Sequence, residues 1–230
     1  MLGLEVHHPE VSRVARRAFQ NYARMLADFV LIGSLQPVDL EHGNTYAGRE
    51  QLDEALKASR GAIMAVPHMG SWDVAGSLAG VLGYPIYAVA VGFPGSLEDA
   101  IVTTRQRFGL KVIPLGRSAV RQLLAALKSN AVVALLCDLP HGPGVEVEFF
   151  GRRAVVPGGP ASLALKTGAR LIPAAQWRTG PGRYHVHLDS PLDLGEDDVR
   201  GVMQRVVRRF EDFIRQRPDQ WYAFRPLFQA

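Results

Sequence analysis

The stretch AIMAVPHMGSWDVAG, Ala62–Gly76, passes from a short apolar run with strand character, Ala62–Val66, into a small-residue run with helix character from Ser71 to about Leu82. This passage decides the fold because it repeats downstream. Strand-like Ile86–Val91 leads to a helix from Ser96 to about Phe108, Lys111–Leu115 leads to a helix over Arg117–Ser129, and Val132–Cys137 follows. Strands alternating with helices imply βαβ crossovers and a largely parallel sheet. Farther on, Val145–Phe150 alternates with period two, a helix starts near Gly159, and Leu171–Trp177 and Tyr184–Leu188 read as strands. A last helix spans about Asp197–Arg217, with Val199, Val202, Val206, Phe210 and Phe213 along one face. Turn signals stand at Gly83-Tyr84-Pro85, Pro94-Gly95, Pro157-Gly158-Gly159-Pro160 and Pro181-Gly182. The predicted class is α/β: a central, mostly parallel, mixed sheet flanked by helices, as a single domain over residues 1–230.

Upstream, Val11, Val14, Ala18, Tyr22, Met25 and Phe29 recur at helical spacing with arginines on other faces, which predicts an amphipathic helix over residues 11–32. It packs on the domain or lies on a bilayer. The chain carries 26 basic and 22 acidic residues, a net charge of only +4, so nothing global calls for nucleic acid. Local arginine runs are denser: Arg13, Arg16, Arg17 and Arg24 near the start, and Arg200, Arg205, Arg208, Arg209, Arg215 and Arg217 near the end. Each run faces anionic headgroups or simply solvent. One cysteine, Cys137, sits in the apolar run AVVALLC and suits a buried thiol in a reducing compartment. No apolar run approaches the ~20 residues of a membrane-spanning helix, and no signal-peptide core is expected at the start.

His68 and Asp73 form an H-x4-D pair at the strand-to-helix junction. On one continuous helix such residues point about 140° apart, so contact requires a turn between them. Gly70 permits one, and Ser71 is a helix N-cap candidate that places Asp73 in the first turn, from where it is expected to fold back toward His68. A neutral imidazole held by a carboxylate is a general base, and backbone N–H groups near Gly70 and Ser71 would receive an oxyanion. A histidine directly after a parallel strand also lies at the carboxyl edge, where open α/β sheets place ligands. Asp138 and His141 stand at another carboxyl edge, either as substrate-binding groups or as a structural turn. Arg105, Arg107 and Arg117 flank the Lys111–Leu115 strand, where a phosphate contact competes with surface solvation. His185 and His187 read as a solvent-facing pair on a strand rather than metal ligands, and Ser71 lacks the G-x-S-x-G setting of a nucleophile. Trp177 and Trp221 read as packing.

PHMGSWDVAG, then DLPHGPGVEVEFFGRRAVVPGGPASLALKTGARLIPAA from Asp138 to Ala175, then RPDQWYAFRPLF, taken in order, resemble the lysophospholipid-acyltransferase-like superfamily. The likeness is to the branch of bacterial lipid A acyltransferases and mycobacterial phosphatidylinositol mannoside acyltransferase. That resemblance implies a glycerolphosphate-acyltransferase-like fold on the cytoplasmic face of a bacterial membrane, held peripherally. It implies transfer of a fatty acyl group from acyl-CoA or acyl carrier protein to a hydroxyl of a lipid or glycolipid, with neither cofactor nor metal. It makes His68 the general base and Asp73 its motif partner, and puts a second catalytic carboxylate in VEVEFFG. Glu146 and Glu148 share one strand face there; Glu146 is preferred as catalytic, with Glu148, Asp138, His141, Arg107, Arg117 and Ser71 as substrate-binding candidates. Relatives carry a longer membrane-associating N-terminal segment, for which residues 11–32 stand here. Two other activities fit the same residues: a non-catalytic lipid-transfer protein, and a hydrolase of acyl thioesters or lipids.

Overall fold

The computed structural model describes residues 3, 5, 7–90, 96–142 and 144–228. In chain order the elements are α1 (Pro9–Ile32), α2 (Pro37–Gly43), β1 (Thr45–Ala47), α3 (Arg49–Lys57), β2 (Ala62–Val66), α4 (Trp72–Val81), β3 (Ile86–Ala90), α5 (Ser96–Arg107), β4 (Lys111–Pro114), α6 (Ala119–Lys128) and β5 (Val132–Leu136). There follow β6 (Val145–Phe149), β7 (Arg152–Val156), α7 (Gly159–Thr167), β8 (Arg170–Gly180), β9 (Arg183–Leu188) and α8 (Val199–Gln216), then a 3₁₀ turn at Pro218–Gln220. A seven-stranded sheet runs β1-β9-β8-β2-β5-β3-β4, all pairs parallel except β8 with β9. The expected mixed, mostly parallel sheet flanked by helices is therefore what forms. The expected strand end at Val91 and the turn at Pro94-Gly95 lie outside the described residues.

The central strands alternate strictly between two cores. Ile63, Ala65 and Val133 point to the face covered by α6, α7 and α8, whereas Ala62, Met64, Val66 and Val132 point to the face covered by α3 and α4. Burial on both sides explains why these strands read as continuous apolar runs. On α8 the stripe Val202, Val206, Phe210 and Phe213 is buried as its spacing requires. Four arginines of the same helix interact with the chain itself: Arg205 pairs with Asp197, Arg209 with Asp189, Arg215 with Glu211, and Arg200 donates to the Glu146 carbonyl.

Two segments depart from the sequence expectation. Val145–Phe149 joins no central sheet; it pairs antiparallel with β7 as a separate two-stranded ribbon whose Val147, Phe149 and Ala154 pack under α8. Its period-two pattern was a true strand signal, but periodicity carries no information about which strand is the neighbour. His185 and His187 are only partly solvent-facing: both are half-buried, His185 hydrogen-bonding Thr45 at 2.8 Å and packing on Trp177, His187 against Phe213.

Helix α1 packs on the 3₁₀ turn and α4 through Val14, Ala18, Asn21 and Met25, and the Asn21 amide donates to the Asp219 carbonyl at 2.9 Å. Its outer face leaves Phe19, Leu26, Val30 and Leu31 exposed, beside exposed Arg13, Arg16, Arg17 and Arg24. No helix among the described residues is long and apolar enough to cross a membrane.

Candidate active site

Strands β2 and β5 are adjacent and in register, Val66 opposite Leu136. The residues two positions beyond those strand ends, His68 and Asp138, therefore come side by side at the carboxyl edge. His68 Nδ1 lies 2.6 Å from Asp138 Oδ1, and the His68 backbone N–H donates to Asp138 Oδ2 at 3.0 Å. The indole N–H of Trp221 donates to the same Oδ2 at 2.7 Å. Asp138 is completely buried, and an ionised carboxylate only accepts, so Nδ1 carries the proton and, in the neutral imidazole, Nε2 keeps its lone pair. Next to it Cys137 is buried and stays a thiol, pushed up first by burial and then by the Asp138 charge.

The loop bearing His68 is clamped from two directions. Tyr222 N–H donates to the His68 carbonyl at 2.8 Å, Gly70 N–H to the Gln220 carbonyl at 3.1 Å, and the Gln176 amide to the Met69 carbonyl at 2.6 Å. Gly70 has φ +60°, and a Cβ there would meet the Gln176 carbonyl oxygen at 2.2 Å, so no side chain fits the turn. Ser71 caps α4 as predicted, its fully buried side-chain oxygen accepting from Val74 N–H at 3.3 Å.

Asp73 does not fold back onto His68. It stands in the first turn of α4 and accepts from Arg105 Nε of α5 at 2.7 Å, the two side chains only 7% and 11% exposed. Burial pushes its carboxyl up from the ordinary aspartate value and the Arg105 guanidinium opposes that. Arg105 is thus a buried counter-ion rather than a surface phosphate ligand. Glu146 is also apart from His68: it pairs with Arg153 of β7 at 2.6 Å, which holds its carboxyl below the ordinary range, and it opens on a separate polar hollow with Arg200 and Arg208. Glu148 lies exposed on the same outward face. The shared face inferred for the two glutamates is correct, but the ribbon turns it away from the carboxyl edge. Glu146→Gln is expected to leave the denaturant midpoint essentially unchanged, as for exposed substitutions, and to leave turnover within about twofold.

His141 is exposed and lines the rim of the His68 cavity. Arg107 is spent elsewhere, donating to the Gly33 carbonyl at the end of α1, and Arg117 is exposed on the β4–α6 turn.

His68, Trp72, Asp73 and Arg105 line a cavity of about 750 Å³ that is otherwise mainly apolar. One arm lies under α3 and α4 against Met64, Val66, Ala134 and Leu136; another passes over the strand ends to Leu123 and Leu163, on the α6 and α7 side. Lys166 and Arg225 join His141 among the polar lining groups. The arrangement is a carboxylate-held imidazole opening on a mainly apolar space.

The sequence alone does not identify Trp221 and Asp138 as His68's partners. The available signal was that the apolar runs AIMAV and VVALL each place a polar, ionisable residue two positions past their end; using it requires knowing that those two strands are neighbours.

Comparison with known proteins bears on the same residues. The chain is 36% identical over 189 residues to the phosphatidylinositol mannoside acyltransferase of Mycobacterium tuberculosis (strain CDC 1551 / Oshkosh), covering 80% of this chain and 59% of that one. It is 35% identical over 203 residues to the protein of that name from Mycolicibacterium smegmatis, covering 85% and 63%. To the lipid A biosynthesis acyltransferase of Haemophilus influenzae it is 24% identical, covering 79% and 58%. The chain thus spans about three fifths of the length of these curated relatives. Among solved structures, the 1-acyl-sn-glycerophosphate acyltransferase of Thermotoga maritima is similar with a TM-score of 0.49 and 14% identity, covering 93% of this chain and 89% of that one. The model of the bacterial lipid A biosynthesis acyltransferases matches residues 4–230, taking in the His68 loop, the β5 edge with Asp138 and the segment of Trp221 together. This chain belongs to that family.

Proposed function

We propose that the protein transfers a fatty acyl group from an acyl thioester to a hydroxyl of a membrane lipid or glycolipid, with His68 as general base. The observation that carries this reading is the pairing of His68 Nδ1 with fully buried Asp138 while the same imidazole lines a large apolar cavity. Nε2 takes the proton of the acceptor hydroxyl as its oxygen attacks the thioester carbonyl; collapse of the tetrahedral oxyanion breaks the C–S bond, and the departing thiolate takes the proton from His68. No acyl-enzyme forms. Asp138 holds the tautomer and stabilises the imidazolium. Gly70 N–H is already engaged by Gln220, so the oxyanion donors are the first-turn N–H groups of α4, Trp72 and Asp73, which have no intrahelical acceptor.

His141, Lys166 and Arg225 supply polar and cationic groups for a phosphate-bearing donor. The exposed apolar strip of α1, with its arginines, supports docking on an anionic membrane surface. We assign that surface to the cytoplasmic side, where acyl thioesters are made. The stronger likeness to the mannoside enzymes makes a mannosylated phosphoinositide the first acceptor to test.

The test is to incubate purified protein with labelled palmitoyl-CoA, with and without candidate glycolipids and lysolipids, following thiol release and labelled lipid. Acceptor-dependent thiol release matched by labelled product is the expected result. Thiol release that no acceptor stimulates would establish a hydrolase instead, and binding without release a lipid carrier.

A further inference from the structure

The arm of the cavity under α3 and α4 has a definite end. Along the strands it reaches Met64, Ala88 and Ala134, but the next pleat down, Ala62, Ile86 and Val132, is packed solid at 0% exposure. The space therefore runs sideways across the sheet, past Ala174 on β8 and Val186 and Leu188 on β9, to Tyr46 on β1. Three interstrand steps from β2 to β1 give a lateral reach of about 14 Å.

At that far side the apolar lining stops. Arg49 Nε, on α3, donates to the Tyr84 hydroxyl at 2.8 Å, and that hydroxyl donates to Asp53, also on α3, at 2.5 Å. The Arg49 guanidinium sits 5.7 Å and 5.5 Å from the ring centroids of Tyr46 and Tyr84. Tyr84 lies in the turn between α4 and β3, so the cluster bridges the two helices that roof the arm. Tyr46, Arg49 and Tyr84 all line the cavity, while the Arg49 and Asp53 side chains are 39% and 49% exposed. One side of the cluster meets the apolar space and the other meets water.

We propose that Tyr46, Arg49 and Tyr84 form the end wall of the acyl-binding arm and set the longest acyl chain the enzyme accepts. This rests on the acyl-transfer reading. A chain whose terminal methyl reaches the rings is fully buried; a longer one must part the Arg49–Tyr84–Asp53 hydrogen bonds and bring methylenes against a guanidinium, which burial of apolar surface does not offset. The wall is a length limit made of polar groups, distinct from the packed apolar floor beneath it.

The experiment compares kcat/KM for saturated acyl-CoA donors from dodecanoyl to eicosanoyl in the wild type and in Tyr84→Ala, Arg49→Ala and Val186→Phe, with equilibrium binding of the free fatty acids of the same lengths. Removing the wall is expected to move the optimum about two carbons longer in both alanine variants, raising the donor two carbons longer relative to the wild-type optimum by roughly 16-fold, at roughly fourfold per newly buried methylene. Val186→Phe, which narrows the arm before the wall, is expected to move it shorter. An unchanged length profile in both Tyr84→Ala and Arg49→Ala, with folding verified by circular dichroism, overturns the proposal. The binding series needs no turnover: if the wild type transfers nothing but the fatty-acid length profile shifts as stated, the acyl-transfer reading fails and the wall stands.

Discussion

Asp138→Asn is expected to lower kcat by about 10³–10⁴-fold while the protein still folds, close to the loss from His68→Ala, by the reasoning that applies when a buried aspartate orients a catalytic histidine. Asparagine keeps the size of the side chain, and its carbonyl still accepts from Trp221 Nε1–H and His68 N–H, now 2.7 Å and 3.0 Å away. What it loses is the acceptor opposite Nδ1, where a carboxylate oxygen lies at 2.6 Å. An amide N–H there forces the imidazole into the other tautomer, with the proton on the nitrogen that must act as base. An alanine would be a poorer probe, since it strands three donors, one buried and two partly buried, at up to about 1–3 kcal/mol each. Single-turnover transfer measures the rate, and ¹⁵N NMR of the His68 ring reads the tautomer: Nδ1–H in the wild type, Nε2–H in the asparagine variant. A kcat within tenfold of wild type, with the tautomer unchanged, would remove Asp138 from the mechanism.

The H-x4-D aspartate is expected to behave differently, with stability falling before chemistry. Breaking the buried Asp73–Arg105 pair from one side leaves an uncompensated charge, costing about 3–5 kcal/mol; replacing both with leucine is expected to recover most of it. The two single variants differ in pH dependence. In Arg105→Leu the remaining carboxyl, already pushed up by burial, loses the guanidinium that opposed the shift. A carboxyl raised above its unfolded value contributes stability that is fully present below that unfolded value and lost as pH rises through the folded one. The stability of Arg105→Leu itself should therefore recover toward acid pH as its buried carboxyl takes up a proton, whereas that of Asp73→Asn, which strands an arginine that cannot discharge, should show no such recovery from this site. Denaturant unfolding at several pH values separates them. If Asp73→Asn lowers kcat of the folded enzyme as far as Asp138→Asn does, the division between orienting and structural carboxylates is wrong.

These two outcomes follow the line between what is local in the chain and what is not. The alternation of strands and helices, the cap at Ser71, the buried stripe of α8, buried Cys137 and the position of His68 beyond a parallel strand were all legible, because each depends on periodicity or on residues within one turn. The glutamates of β6 were correctly placed on one face and incorrectly aimed, since the ribbon's orientation is set by α8, more than fifty residues on.

By itself, then, the sequence determined the class of fold and singled out His68 at a strand's carboxyl edge. Only tertiary structure decided that histidine's partner. Five residues after His68, Asp73 is carried by the first turn of α4 toward α5, where Arg105 meets it; seventy residues away, Asp138 is delivered beside His68 because β2 and β5 are neighbours in register. A turn is fixed by its own residues, but strand neighbours are chosen by the packing of the whole sheet, and register then fixes which side chains touch.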